Sequence, residues 1–173
     1  MGEHLKSVAS SLDLDAAARI VDGAIAERRE HGLLPLAVAV LDAGGNLVAF
    51  KREDGCGVLR FDIAFGKAWA ALGMGMSTRL IRDRLKERPA FQGALAAASN
   101  GRFVPVPGGV LILDGAGQAI GAVGVSGDAS DKDELLRHRR GPHRRFRQRA
   151  SRAGLELAGC RSLSPTRSHR TRT

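Results

Sequence analysis

Apolar residues recur every three or four positions from Asp13 to about His31, through Leu14, Ala17, Ala18, Val21, Ala24 and Ile25. That period predicts an amphipathic helix. Asp13 and Asp15 favour its start, where backbone amides are unpaired and the dipole is positive, and Arg28 and Arg29 suit its last turn. Gly32 supplies the left-handed residue that ends it. The pattern then changes. Leu36-Ala-Val-Ala-Val-Leu is too short and too β-branched for a helix, Asp42-Ala-Gly-Gly offers turn residues, and Asn46-Leu-Val-Ala-Phe-Lys-Arg is apolar again; the three together predict a β-hairpin. The same plan returns at Val110-Leu-Ile-Leu-Asp, Gly-Ala-Gly117 and Gln118 to Val125. Two comparable hairpins separated by a helical insert suit an antiparallel sheet, not alternating parallel units.

The insert holds three further elements. Phe61 to Leu72, rich in Ile63, Ala64, Ala68, Trp69, Ala71 and Leu72, reads as a mostly buried helix that Gly73-Met-Gly-Met breaks. Ser77 is the expected N-cap of a second helix with Leu80, Ile81 and Leu85 on its apolar face, ending before Pro89. A short helix from Pro89 to Ala98 follows, and the prolines of Val104-Pro-Val-Pro-Gly-Gly109 keep the approach to the second hairpin extended.

Composition divides the chain. Residues 135–173 carry 12 Arg, no Lys and one acid, while the remainder carries 15 basic and 17 acidic residues. The net charge of +9 therefore belongs to the tail, and the preceding domain is mildly acidic. Such a tail implies only salt-dependent, non-specific affinity for nucleic acid, because Phe146 is its lone aromatic and offers little stacking surface. No apolar run is long enough to cross a bilayer. Two cysteines in unlike surroundings, without a CxxC spacing, fit a reduced, cytoplasmic protein.

The segments Ala-Val-Ala-Val-Leu-Asp-x-x-Gly-Asn-Leu-Val-Ala-Phe, Lys67-Ala, Gly-Gly-Val-Leu-Ile-Leu-Asp and Ile120–Glu134 resemble the GlcG/HbpS-like family, which includes the C-terminal domain of PduO proteins. The resemblance covers about residues 11–134. It implies an α+β, profilin-like fold: a five-stranded antiparallel sheet flanked by helices, assembled into homo-oligomers. It also implies a tetrapyrrole or other small-molecule ligand. Haem is bound by some members and degraded by at least one, corrinoids are bound by others, and some belong to small-acid, glycolate-type metabolism. The three function classes that follow are a haem-binding or haem-degrading domain, an accessory protein or enzyme of small-acid metabolism, and a basic-tailed nucleic-acid binder.

HbpS-like members present a hydroxyl to haem iron at the start of the helix that begins near Ser77. By that resemblance Ser77 is the iron ligand, with Thr78 the one-residue alternative; the amides there and Arg79 would suit a propionate. Lys67 and the Gly108–Gly109 loop complete the expected ligand-binding set, although an N-cap for Ser77 and a snorkelling or salt-bridged surface lysine for Lys67 are equally ordinary readings. His31 is the only histidine within residues 11–134 and so the alternative iron ligand, with a helix-terminal hydrogen bond as its plainer role. Met74 and Met76 read as packing at a helix junction. Gly121, Gly124 and Gly127 read as sites of close packing of strand on helix rather than a phosphate loop. Asp128, Asp131, Asp133 and Glu134 miss the spacing of a calcium loop and suit helix capping.

The family's closing alanine-rich helix is not written after Glu134. Asp131 and Glu134 announce a helix, and Gly141-Pro142 breaks it after about two turns. Residues 1–10 read as an N-terminal extension and 135–173 as a tail too poor in apolar residues to order itself. A one-base frameshift after Glu134 would explain the switch in composition, and resequencing the gene around that codon tests it.

Overall fold

A computed structural model describes residues 6–127 and the backbone of Leu155–Leu157. The first helix, α1 (Leu14–Glu30), starts where Asp13 accepts a hydrogen bond from the Ala16 amide at 2.6 Å. It ends at His31, followed by Gly32 with φ +61. Strands β1 (Ala37–Asp42) and β2 (Leu47–Arg52) form the first hairpin, and β3 (Gly109–Asp114) and β4 (Ala119–Ser126) the second. In each turn an aspartate side chain takes the place of a missing strand partner. Asp42 accepts from Asn46, and Asp114 from Ala116 and Gln118.

The strand order is β2-β1-β4-β3, antiparallel throughout, with β1 and β4 as the central pair. A three-residue β5 (Leu155–Leu157) lies antiparallel to β3 beyond it. Residues 11–127 thus supply four strands, one fewer than the resemblance implied. The extended approach at residues 104–108 does not add another, since Pro105 and Pro107 lack the N–H groups that a ladder needs. The remainder of the tail and the Asp128–Glu134 cluster lie outside the described residues.

Three helices connect the hairpins: α2 (Arg60–Met74), α3 (Thr78–Leu85) and α4 (Pro89–Ala98). The expected break at Gly73 falls two residues later. Gly73 stays helical, and Gly75, at φ +63, takes the left-handed cap.

The two faces of the sheet follow from strand alternation. Val38, Val40, Val123 and Val125 point to one side and bury Ile20, Val21 and Ile25 of α1. Ala37, Ala39, Leu41 and Ala122 point to the other, against Ala64, Ala68 and Ala71 of α2. Large residues therefore meet α1 and small ones meet α2, which lets α2 approach the sheet closely. Gly124 is the closest point: a Cβ there would lie 2.8 Å from the Ala68 nitrogen and inside contact distance of the Ala64 carbonyl oxygen. The strand-on-helix packing expected for these glycines is found at Gly124, whereas Gly121 faces the Leu41 carbonyl of β1 and Gly127 the Pro35–Leu36 backbone.

Candidate functional site

Antiparallel pairing places the start of β1, the end of β2, the start of β3 and the end of β4 at one end of the sheet, away from both hairpin turns. Most of the residues singled out in the sequence gather there. Ser77 caps α3 in an extended conformation, and its hydroxyl accepts from the Leu80 amide at 3.5 Å, a long contact that leaves the half-buried oxygen available. Thr78 is buried. Its Oγ1 accepts from the Gly109 amide at 2.8 Å and donates to the Gly109 carbonyl at 3.3 Å, so this hydroxyl is spent on joining α3 to β3. Of the two candidate hydroxyls, that of Thr78 is committed to Gly109, and that of Ser77 makes only the long cap contact with Leu80.

Lys67 corrects the sequence reading. It is 1% exposed, among the most buried side chains of the chain, and its Nζ donates to the Val125 carbonyl at 2.8 Å. A surface, snorkelling lysine is excluded. The residues that enclose it come from three distant segments, since α2 carries it inward, β4 ends over it, and the Gly108 loop closes above it. Gly108 holds φ +120, and a Cβ at that position would lie 2.8 Å from the Val125 oxygen and 2.9 Å from Lys67 Nζ. The Val125 amide in turn donates to Gly108 at 2.9 Å. At Gly109 a Cβ would approach Thr78 Cγ2 to 2.7 Å. Lys67, Thr78, Gly108 and Gly109 are thus one interlocked unit, with Ser77 and the half-buried Arg79 on its outer edge.

Sequence reasoning missed Arg60 at this end, and with it the contact between Arg60 and Ser126. Ser126 is fully buried, and Arg60 Nη1 donates to its Oγ at 3.3 Å. The signal was present: the Gly124-Val-Ser sequence continues the small-residue face of β4. Met74 and Met76 pack against the cluster of Ile81, Leu85 and Phe103, as a helix junction requires. His31 lies apart, at the exposed end of α1, with Nδ1 2.9 Å from the Glu27 carbonyl oxygen.

A cavity of about 490 Å³ is also remote from Ser77. It opens between the last turn of α1 and the end of β2, on the α1 side of the sheet. On the α2 side, Cys56 packs partly buried against the cluster of Ala37, Ala39 and Ala64, and that burial raises its thiol pKa despite the neighbouring Arg60 and Arg52. Among the described residues no group of three His, Cys, Asp or Glu side chains is arranged to hold a metal ion, and no helix is long and apolar enough to cross a membrane.

An α+β domain with two hairpins sharing a central β1–β4 seam, and a small-residue face against one helix, defines the class of protein. The chain belongs to the HbpS-like family, described as haem degrading protein HbpS-like, whose model matches residues 12–138. An uncharacterised 15.0 kDa protein of Citrobacter freundii, encoded in the dhaT-dhaS intergenic region, is 33% identical over 128 residues, 73% of this chain and 87% of the relative. Among solved structures, the Klebsiella pneumoniae protein ORFY superposes with a TM-score of 0.66 at 28% identity, covering 79% of this chain and 91% of that one. A PduOC complex with haem shares the fold at a TM-score of 0.64 and 24% identity, over 72% and 88% of the two chains.

Proposed function

We propose that this chain is a haem-binding domain that works as a homo-oligomer of profilin-like subunits, with its ligand surface at Ser77–Arg79 and the Gly108–Gly109 loop. The observation that carries this reading is the half-buried Ser77 hydroxyl, held only by a long cap contact, next to the rigid unit of Lys67, Thr78, Gly108 and Gly109. Thr78, Gly109, Gly108 and Lys67 fix the start of α3 to the sheet, so the Ser77 oxygen has a defined position without being used up. The family description and a fold neighbour crystallised with haem support the choice of ligand. A corrinoid finds no comparable support in these names.

The donor set fits the group. A hydroxyl is an acceptable oxygen donor to ferric iron, and the α3 N-terminus with Arg79 suits a carboxylate. Ser77 would hold the iron side and Arg79 a propionate. Lys67 and Thr78, both buried, would position the loop without touching the ligand. Bound haem supplies a redox-active iron, the chemistry that oxidative ring opening needs.

Titration of the purified full-length chain with haemin, followed at the Soret band, tests the reading. Saturable binding at micromolar protein is expected, weakened about tenfold or more by Ser77→Ala and nearly unchanged by His31→Ala. The reverse order would transfer the iron to His31, and absence of any saturable change refutes haem binding.

A further inference from the structure

The cavity between α1 and β2 has a wall of a different character from the Ser77 surface. Glu53 lies at its back, with its side chain only 11% exposed. Its carboxylate accepts from the Leu36 amide at 3.0 Å and is met by Arg28 Nε and Arg29 Nε, each at 3.4 Å. Arg28 Nε also donates to the Leu34 carbonyl at 3.1 Å. Both arginines are therefore anchored through Nε, and among the described residues their terminal NH₂ groups have no partner. Arg52, exposed on the rim, makes no hydrogen bond or ion pair among the described residues. Lys51, also on the rim, pairs with Asp22. Ile25 and Pro35 supply an apolar wall.

Anchoring matters because a flexible surface arginine loses side-chain entropy when it grips a ligand. Here Glu53 holds the 22% exposed Arg28 and also meets the 69% exposed Arg29, and its carboxylate offsets one of their charges. Four cationic residues line the cavity against the carboxylates of Glu53 and Asp54, and Asp22 pairs with Lys51, so an excess of one positive charge surrounds a volume within the usual range for ligand sites. Guanidinium NH₂ pairs favour planar or tetrahedral oxyanions, which they bind through charge-assisted hydrogen bonds.

We infer that this cleft is a binding site for a small oxyanion carrying two or more negative charges, a phosphate or a di- or tricarboxylate. It is separate from the proposed haem surface. It lies on the α1 face of the sheet beside β2, whereas the Gly108–Gly109 loop leads into β3, with β1 and β4 between those two strands.

The test is an NMR titration of the ¹⁵N-labelled full-length chain with inorganic phosphate, and in a second arm with citrate, at constant ionic strength set by chloride. Saturable shifts of the amides at positions 28–36 and 51–54 are expected at low-millimolar anion in at least one arm, and the tighter arm identifies the phosphate or carboxylate source. Arg29→Gln with Arg52→Gln should weaken those shifts at least tenfold without lowering the melting temperature. Should the double variant be less stable, Arg52→Gln alone, at an exposed position without a partner, should still weaken binding about threefold. Shifts confined to the arginine-rich tail, binding unchanged in the variants, or no saturable shift in either arm would overturn the proposal.

Discussion

Replacing Gly124 by alanine adds a single methyl group at the closest approach of α2 to the sheet. The new Cβ would sit 2.8 Å from the Ala68 nitrogen and 2.9 Å from the Ala64 carbonyl carbon, with the Ala64 oxygen nearer still. Every one of these atoms is backbone, so no side chain can turn aside. Relief requires the helix to lift off β4 by more than 1 Å, loosening the contacts of Ala64, Ala68 and Ala71 with Ala39, Leu41 and Ala122. Overpacking of a tight core costs about 1–3 kcal/mol, and a clash between backbones belongs at or above the upper end. The expected loss is about 3 kcal/mol, or roughly 10 °C in melting temperature. Gly93→Ala is the matched control. Gly93 lies in α4, and a Cβ there meets nothing within 4 Å, so the same chemical change should stabilise by about 0.5–1 kcal/mol through helix propensity. Urea denaturation of the two variants beside the parent measures both. A cost below about 1 kcal/mol for Gly124→Ala would refute the close approach of α2 to β4.

Lys67→Met keeps the side-chain volume but leaves the Val125 carbonyl without its buried donor, and should lower stability by about 1–3 kcal/mol in the same urea assay. Burial raises the Asp42 pKa, but hydrogen bonds from Asn46, Gly44 and Gly45 outweigh it and hold the carboxyl below its usual range. A depressed folded pKa contributes stability that is present above the unfolded value and lost as pH falls through the folded one. Asp42→Asn should therefore flatten the loss of urea stability below about pH 4. Burial raises the Cys56 pKa, so in a Cys160→Ser background its alkylation by iodoacetamide should be slow at pH 7 and still rising at pH 9, and a plateau below pH 8 would contradict that environment.

Much of the architecture is legible because local chemistry and tertiary packing agree. Ala-Val-Ala-Val in β1 and Ala-Val-Gly-Val in β4 already state that one face is large and the other small. Asp13 and Ser77 mark the starts of α1 and α3, where both act as N-caps. The fate of Lys67 is not legible, because its enclosure depends on a positive φ at Gly108 and on the end of β4, neither of which lies near it in sequence. Thr78 and Ser77 look interchangeable as hydroxyl donors. Only the packing of Gly109 against Thr78 separates a committed hydroxyl from an available one. The α1–β2 cleft escaped for a similar reason: Arg28 and Arg29 read as dipole partners of a helix end, and nothing local says that Glu53 returns to anchor them.

The central seam also governs how the molecule is made. Ala37 pairs with Ser126 and Asp42 with Gly121, contacts roughly 80 to 90 residues apart, whose loop must close before the seam rewards it. Each hairpin forms locally in microseconds, whereas joining them waits for α2, α3 and α4 to be threaded between. Until the seam zips, β1 and β4 each offer an unpaired edge of alternating alanine, glycine and valine. Those edges fit a second chain as well as their own partner, so the slow step of folding is also the interval of greatest exposure to misassembly.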